Sequence, residues 1–287
     1  MRKIALVTDS SAALPDSLRQ QMEAAGGFVC CGLQVWLGEQ ELRTSDQAQV
    51  EEALLLAQLA GSPVKTAGVS GGVFVEVYQQ LAEQGFEAVL SVHLAAGLSA
   101  TYQAACWAAG QVDIPVAVVD SQTAGMGLGY PLIRLYEHLE AESDLARAVE
   151  LAELWTGDAE VLFWVPSLEP LKRGGRINPA LARVGQLLHV QPLVSLQAGR
   201  LQLLERPRNP ERALELLIQR VEASCRERAS LDAGLGRVEA IHYLGNLGQA
   251  WALRQSLGPL ADSAQLLPLP PVLAAHTGAG VLAAVVF

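Results

Sequence analysis

Three short apolar runs, at residues 3–8, 87–94 and 115–120, alternate with helix-like stretches at 71–84 and 99–110. Strands that alternate with helices imply a parallel sheet covered by helices on both faces. In such sheets ligands bind beyond the carboxyl ends of the strands. The first run ends in Thr8-Asp9-Ser10-Ser11, and His93 to Thr101 and Asp120-Ser121 occupy the same place after the other two. A helix is expected to open at Pro15, a residue suited to the first helical turn.

Beyond two further helical stretches, 124–139 and 143–156, the pattern changes. Residues 160–166, 190–196, 200–205, 236–243 and 281–287 read as strands, with a hairpin turn at Gln197-Ala198-Gly199. Helices at 211–228 and 246–257 separate the later strands. The expected fold is α/β in two domains. A parallel-sheet α/β domain spans 1–157, a mixed α/β domain spans 158–287, and the boundary falls near Gly157-Asp158.

Composition narrows the function classes. Of 287 residues, 51% are hydrophobic, enough for a large buried core. Twenty basic against thirty acidic residues leave a net charge of −10, which repels nucleic-acid phosphates and anionic membranes. No segment reaches the roughly 20 apolar residues that span a bilayer, and Asp9 interrupts the apolar start Ile4–Val7, so no signal peptide is expected. Cys30, Cys31, Cys106 and Cys225 lack C-x-x-C spacing and read as core thiols of a reducing, cytoplasmic compartment.

Two glycine clusters test a dinucleotide reading. Gly125-x-Gly127-x-Gly129 lacks the third glycine of the fingerprint, and Gly278-x-Gly280-x-x-Ala283 is followed by neither a helix nor an acidic residue. Helix packing and a tight turn account for them better. No G-x-S-x-G elbow is present, and the five histidines lack metal-ligand spacing, so no metal or cofactor is expected.

A set of segments in order resembles another pattern throughout. Val7-Thr8-Asp9-Ser10-Ser11 matches V-T-D-S-S, and Val64-Lys65-Thr66 matches the start of K-T-S-x-P-S. Leu94 to Ala104 matches S-S-x-L-S-G-T-Y-Q-S-A, and Asp120-Ser121 follows the next strand. Leu171 to Ile177 fits L-x-K-G-G-R-I, and Ala275 to Gly280 fits H-x-G-P-G. By these segments the chain resembles the DegV family from Ile4 to its C-terminus. The resemblance implies a carrier, not an enzyme, that buries one long-chain fatty acid in its N-terminal domain. The C-terminal domain then closes the head-group site, and a separate fatty acid kinase phosphorylates the held carboxyl group. The bound fatty acid is the only ligand implied, with no nucleic acid and no integral membrane association.

Physical chemistry supports a head-group site at Thr66, Ser99 and His276, with Ala95 and Ala96 beside it. Ser99 stands where an N-cap belongs, ahead of a helix from Ala100, and a helix N-terminus attracts anions. Thr66 precedes another helix start near Ser70, and His276 in a Gly-flanked turn adds a donor. Simple capping explains Ser99 equally well. A buried methylene contributes ~0.8 kcal/mol, so a sixteen-carbon tail offers roughly 12 kcal/mol gross. The polar end, at about 1.5–3 kcal/mol per charge-assisted hydrogen bond, mainly fixes orientation. Lys172, Arg173 and Arg176 precede Asn178-Pro179 and read as a cationic helix N-terminus for phosphate or carboxylate. Arg176, Lys172 and Arg206 are assigned to the kinase partner or the transferred phosphoryl group, with a solvated loop as the plain alternative.

Several family residues are replaced: T-S-x-P-S is Thr66-Ala67-Gly68-Val69-Ser70, S-S is Ala95-Ala96, and Ala100 and Ala279 stand for glycine and proline. Losing hydroxyls beside a carboxylate weakens phosphotransfer more than tail binding. The competing class is an α/β hydrolase or phosphotransferase acting on a small acyl or phosphorylated substrate, using His276 or His93 with Asp9 or Asp120.

Overall fold

The computed structural model describes residues 3–42, 47–177, 190–232 and 234–287. The chain forms two compact units, Met1–Gln34 with Ala67–Asp158, and Val35–Thr66 with Ala159–Phe287. It opens with β1 (Ile4–Asp9), α1 (Asp16–Ala25) and β2 (Phe28–Cys31). It then passes through β3 (Gln34–Leu37), β4 (Gln40–Glu41), α2 (Gln47–Leu59) and β5 (Val64–Ala67). Next come α3 (Gly71–Glu83), β6 (Ala88–His93), α4 (Thr101–Ala109), β7 (Val116–Asp120), α5 (Met126–His138) and α6 (Leu145–Gly157). The last stretch holds β8 (Glu160–Trp164), α7 (Glu169–Arg173), β9 (Leu193–Gln197), β10 (Arg200–Glu205) and α8 (Pro210–Leu231). It closes with β11 (Val238–Tyr243), α9 (Leu247–Leu257), β12 (Gln265–Pro268), α10 (Pro271–Thr277) and β13 (Leu282–Val286).

The first unit is built on a parallel sheet in the order β2-β1-β6-β7. Strand period sorts its side chains. Ile4, Leu6, Leu90 and Val92 face a core completed by Leu128, Leu132 and Leu135 of α5 and Ala148 and Ala152 of α6. Ala5, Val7 and Val89 face Phe74, Tyr78, Ala105 and Ala108 of α3 and α4. Burial on both faces is why β1 and β6 read as largely apolar runs. The register brings Asp9 beside Cys31 and His93 beside Asp120, so the expected polar residues share the carboxyl edge.

The second unit carries a mixed sheet, β10-β9-β8-β13-β11-β12, in which only β11 and β12 pair in parallel. Ala213, Leu217 and Val221 of α8 and Ala250 and Leu253 of α9 pack with Leu162, Ile241 and Ala284 of the sheet. A small sheet, β4-β3-β5, belongs to this unit as well. The chain therefore changes unit after Gln34, after Thr66 and after Asp158.

The glycine clusters are packing devices. Gly125 has φ 63° before α5, and a Cβ on Gly129 would lie 2.1 Å from the Ala12 carbonyl oxygen. Gly278 and Gly280 adopt φ 80° and 79°, where side chains are strained. All four cysteines are free thiols. Burial pushes the Cys225 thiol up to about 11 and Cys31 up to about 12.

Candidate functional site

At the carboxyl edge of the parallel sheet, two carboxylates organise the loop between β6 and α4. Asp120 Oδ1 accepts from the Ala96 amide at 3.0 Å and the Gln122 amide at 2.9 Å. Asp9 accepts from the Leu94 amide, 3.1 Å, from the Ser11 amide, 3.1 Å, and from the Ser11 hydroxyl, 2.6 Å. Its Oδ2 also lies 3.0 Å from His93 Nδ1. The chain continues through His93 Nε2 to Ser91 Oγ at 2.7 Å and Tyr78 Oη at 2.8 Å. With Asp9 Oδ2 as the acceptor of this bond, His93 Nδ1 is its donor. If Tyr78 donates to Ser91 and Ser91 to Nε2, every hydrogen in the chain has an acceptor.

Ser91, His93 and Asp9 have the connectivity of a nucleophile–base–orienter relay. All three are 0% exposed, however, and Ser91 lies within a strand with its hydroxyl already engaged by Tyr78. A nucleophile must reach a substrate, so this arrangement serves as a structural clamp on the Leu94 loop.

The expected anion site at Ser99 differs in detail. Helix α4 begins at Thr101, and Ala100 holds the N-cap position without a side-chain bond. Ser99 accepts from the Thr101 amide at 3.3 Å, with its hydroxyl 2.9 Å from Thr101 Oγ1. Such a side-chain turn two residues on is a habit of serine, which caps this helix from one position early. Helix geometry leaves the amides of Tyr102 and Gln103 without an intrahelical acceptor. Gly68, not singled out by the sequence reading, approaches this pair: a Cβ there would sit 2.9 Å from Thr101 Oγ1 and 3.3 Å from Ser99 Oγ. Ala95 is fully buried, and its amide bonds the Thr123 carbonyl at 2.9 Å.

In the second unit Thr66 Oγ1 lies 2.8 Å from His276 Nε2. Thr66 is on β5, and His276 is in the last turn of α10, not in the expected loop. Pro270 and Pro271 start this short helix and Gly278, at φ 80°, ends it, a length too small to show helical period. Burial, and next the positive charge of Arg176, push the His276 pKa down to about 4. The imidazole is thus neutral near pH 7 and keeps one N–H. Gly174 explains part of the K-R-G-G-R segment, since a Cβ there would fall 2.3 Å from His276 Nδ1. Beside His276 lies a cavity of about 240 Å³, lined by Leu54, Gln58, Pro170, Arg173, Leu244 and Ala274 among others.

The cationic residues are corrected in place. Lys172 and Arg173 form the last turn of α7, where the helix dipole favours positive charge, so the described part of the cluster is a helix C-terminus. Asn178 and Pro179, expected to open a helix, lie outside the described residues. Lys172 pairs with Glu169 at 3.6 Å, and Arg176 Nη1 donates to the Gly174 carbonyl at 2.6 Å. Arg206 is exposed just after β10 and lines a shallow depression with Leu203, Pro207 and Arg212. Ala95, Ala96 and Ser99 belong to the first unit; Thr66, His276, Arg176, Lys172 and Arg206 belong to the second.

Residues 3–287 match a family described as "Uncharacterised protein, DegV family". The chain belongs to the DegV family. A DegV domain-containing protein of Streptomyces coelicolor is 35% identical, with 99% of this chain and 98% of that protein covered. A DegV family protein from Thermus thermophilus, described for its fatty acid binding, superposes with a TM-score of 0.86 at 32% identity, covering 100% of this chain and 99% of the other. A stearic acid-binding protein from Eubacterium ventriosum shares the fold, with a TM-score of 0.84 at 21% identity and coverage of 100% and 98%.

This DegV chain has Thr66, Ser99, Thr101 and His276, and alanine at 95 and 96. Its V-T-D-S-S segment supplies the Asp9 clamp, its L-S-A-T segment the paired hydroxyls, and its G-G-R segment the surface against which His276 rests. Among the described residues, no helix is long and apolar enough to cross a membrane.

Proposed function

We propose that this chain binds and carries one long-chain fatty acid, whose carboxylate accepts hydrogen bonds from Thr66, Ser99 and His276. The observation that carries this reading is the Thr66–His276 pair: a neutral imidazole 2.8 Å from a hydroxyl, beside the Arg176 cation. Their mutual bond uses one of the two hydrogens, so the pair offers one donor and positive potential to an anion, with no charged acid of its own to repel one. The fatty acid binding of the Thermus relative, 32% identical over the full length, supports the same ligand class. The acyl tail is assigned to the apolar interior of the first unit, and Thr66 and His276 belong to the second. The protein is a carrier and not an enzyme, needs no cofactor, and works in the cytoplasm, in keeping with its four free thiols.

The test is a titration of delipidated protein with palmitate and with hexadecanol, with the stoichiometry read by native mass spectrometry. Wild type takes up about one palmitate. Ser99→Ala and His276→Ala each weaken palmitate by roughly 1–3 kcal/mol and hexadecanol much less, because only the acid brings a charge to the hydrogen bond. No uptake by wild type would sink the carrier reading, and equal losses for acid and alcohol would reduce both residues to structural ones.

Arg176, with Lys172 and Arg206, is assigned to a fatty acid kinase or the transferred phosphoryl group. A guanidinium grips phosphate in two-point fashion. Arg176→Ala therefore keeps palmitate affinity within about tenfold, or 1.4 kcal/mol. Acyl phosphorylation by the kinase of the same genome falls roughly a hundredfold. Collapse of binding with a normal rate per bound lipid moves Arg176 into the carboxylate site instead.

A further inference from the structure

The cavity of about 240 Å³ beside His276 lies wholly within the second unit, and Thr66 is not among the described residues that line it. Leu54 of α2 and Leu244 after β11 are buried at its floor, and Val64 of β5 and Pro170 of α7 form its sides. Its polar side chains are Gln58, Ser62, Arg173 and His276. No aspartate or glutamate is among the described residues that line it, although the chain has thirty acidic residues against twenty basic ones. The Arg173 guanidinium makes no hydrogen bond or ion pair among the described residues, whereas Lys172 beside it pairs with Glu169. Gln58 Oε1 accepts from the Ala279 amide, which orients the side chain and leaves its NH₂ group to donate. Burial, and next Arg176, hold the His276 imidazole neutral near pH 7, so Arg173 carries the charge of this wall.

A guanidinium with neighbouring donors and no acid complements an anion, and apolar walls stabilise a hydrocarbon part. Arg173 is exposed, so the charge stands at the mouth and the apolar surface at the floor. One cation matches one negative charge, and a second would be left unpaired against the apolar floor. At about 30 Å³ for a water-sized atom, 240 Å³ holds roughly eight non-hydrogen atoms. A long-chain fatty acid is far too large for it. We propose that this cavity is a second binding site, taking a small monocarboxylate of about six carbons whose carboxylate pairs with Arg173. The site does not rest on the carrier reading, because Arg173 has no part in the head-group site.

NMR of the full chain with labelled leucine and valine methyls tests the site, with hexanoate as the probe. Hexanoate shifts the Leu54, Val64 and Leu244 methyls saturably, and hexanol binds at least roughly tenfold more weakly, since it brings no charge to Arg173. Arg173→Gln weakens hexanoate roughly tenfold or more and leaves hexanol and palmitate uptake unchanged. Arg173→Lys, which keeps the charge, recovers most of the loss. No saturable shift at these three methyls overturns the proposal, as do shifts confined to first-unit residues such as Leu128 and Leu132. Equal hexanoate affinity for wild type and Arg173→Gln overturns it too. Inorganic phosphate that binds as tightly overturns the organic ligand, and loss of palmitate uptake in Arg173→Gln moves Arg173 into the head-group site. Wild type that ignores palmitate yet shows the hexanoate shifts removes the carrier reading and supports this site.

Discussion

Replacing Asp9 by alanine is expected to destabilise the protein by about 3–5 kcal/mol, the range for removing one partner of a buried charged network. Four donors lose their acceptor at once: the Leu94 and Ser11 amides, the Ser11 hydroxyl and His93 Nδ1. No water can replace it without opening the packing, since Asp9 and His93 are fully buried and the Phe74 ring stands edge-on to the imidazole at 4.9 Å. Asp9→Asn loses less, because its carbonyl oxygen still takes some of these bonds while its NH₂ group opposes others. The effect reaches the site through the backbone, for Leu94 opens the segment that ends in Ser99 and Thr101. Urea unfolding measures the loss, and hydrogen exchange should show the Leu94 and Ala96 amides exchanging faster. A loss below 1 kcal/mol for Asp9→Ala would show that the clamp does not hold this edge of the sheet.

Acid is the second large lever. Burial pushes the His242 pKa down to about 4, opposed by its Nδ1 bond to the Leu267 carbonyl at 3.2 Å, and His276 is held near 4 as well. An unfolded histidine titrates near 6.5. Between these values the unfolded chain binds more protons than the folded one, so stability rises with pH. The stabilisation is complete above about pH 6.5 and is lost as pH falls toward 4. For His242 the loss amounts to roughly 2 kcal/mol by pH 5, with a smaller share from His276, which water partly reaches. Urea midpoints compared at pH 7 and pH 5 stay clear of most carboxylate titration. A flat profile for wild type, or an equally steep one for His242→Gln, would exclude His242 as the cause.

The sequence made some of this legible and hid the rest for identifiable reasons. β1 and β6 announce themselves because two-sided burial favours a largely apolar run. The hairpin at Ala198-Gly199 was equally open to reading, and both residues take the positive φ that a tight hairpin turn requires. Helix α2 was missed because its apolar residues do not keep to one face: Leu54 is buried while Leu56 is 57% and Leu59 85% exposed. Strand β2 is four residues long and ends in two cysteines, and β12 ends in a proline, so neither carries a strand signal of useful length. The motifs named Thr66 and His276, yet their hydrogen bond joins residues 210 positions apart and needs the fold. The cavity beside Arg173 gave no signal, because its walls come from α2, α7 and α10, segments far apart in the sequence.

The segment Val35–Thr66 has a consequence for the order of assembly during synthesis. It belongs with residues Ala159–Phe287, which are translated after the whole of the first unit. The ribosome therefore releases β3, β4, α2 and β5 long before the six-stranded sheet of their unit exists. The first unit, by contrast, has its whole chain available once Asp158 has cleared the exit tunnel. Thr66 thus waits for His276, which is made 210 residues later. A nascent chain stalled before α10 would possess β5 and lack the imidazole, so the Thr66–His276 bond forms only once α10 has been made.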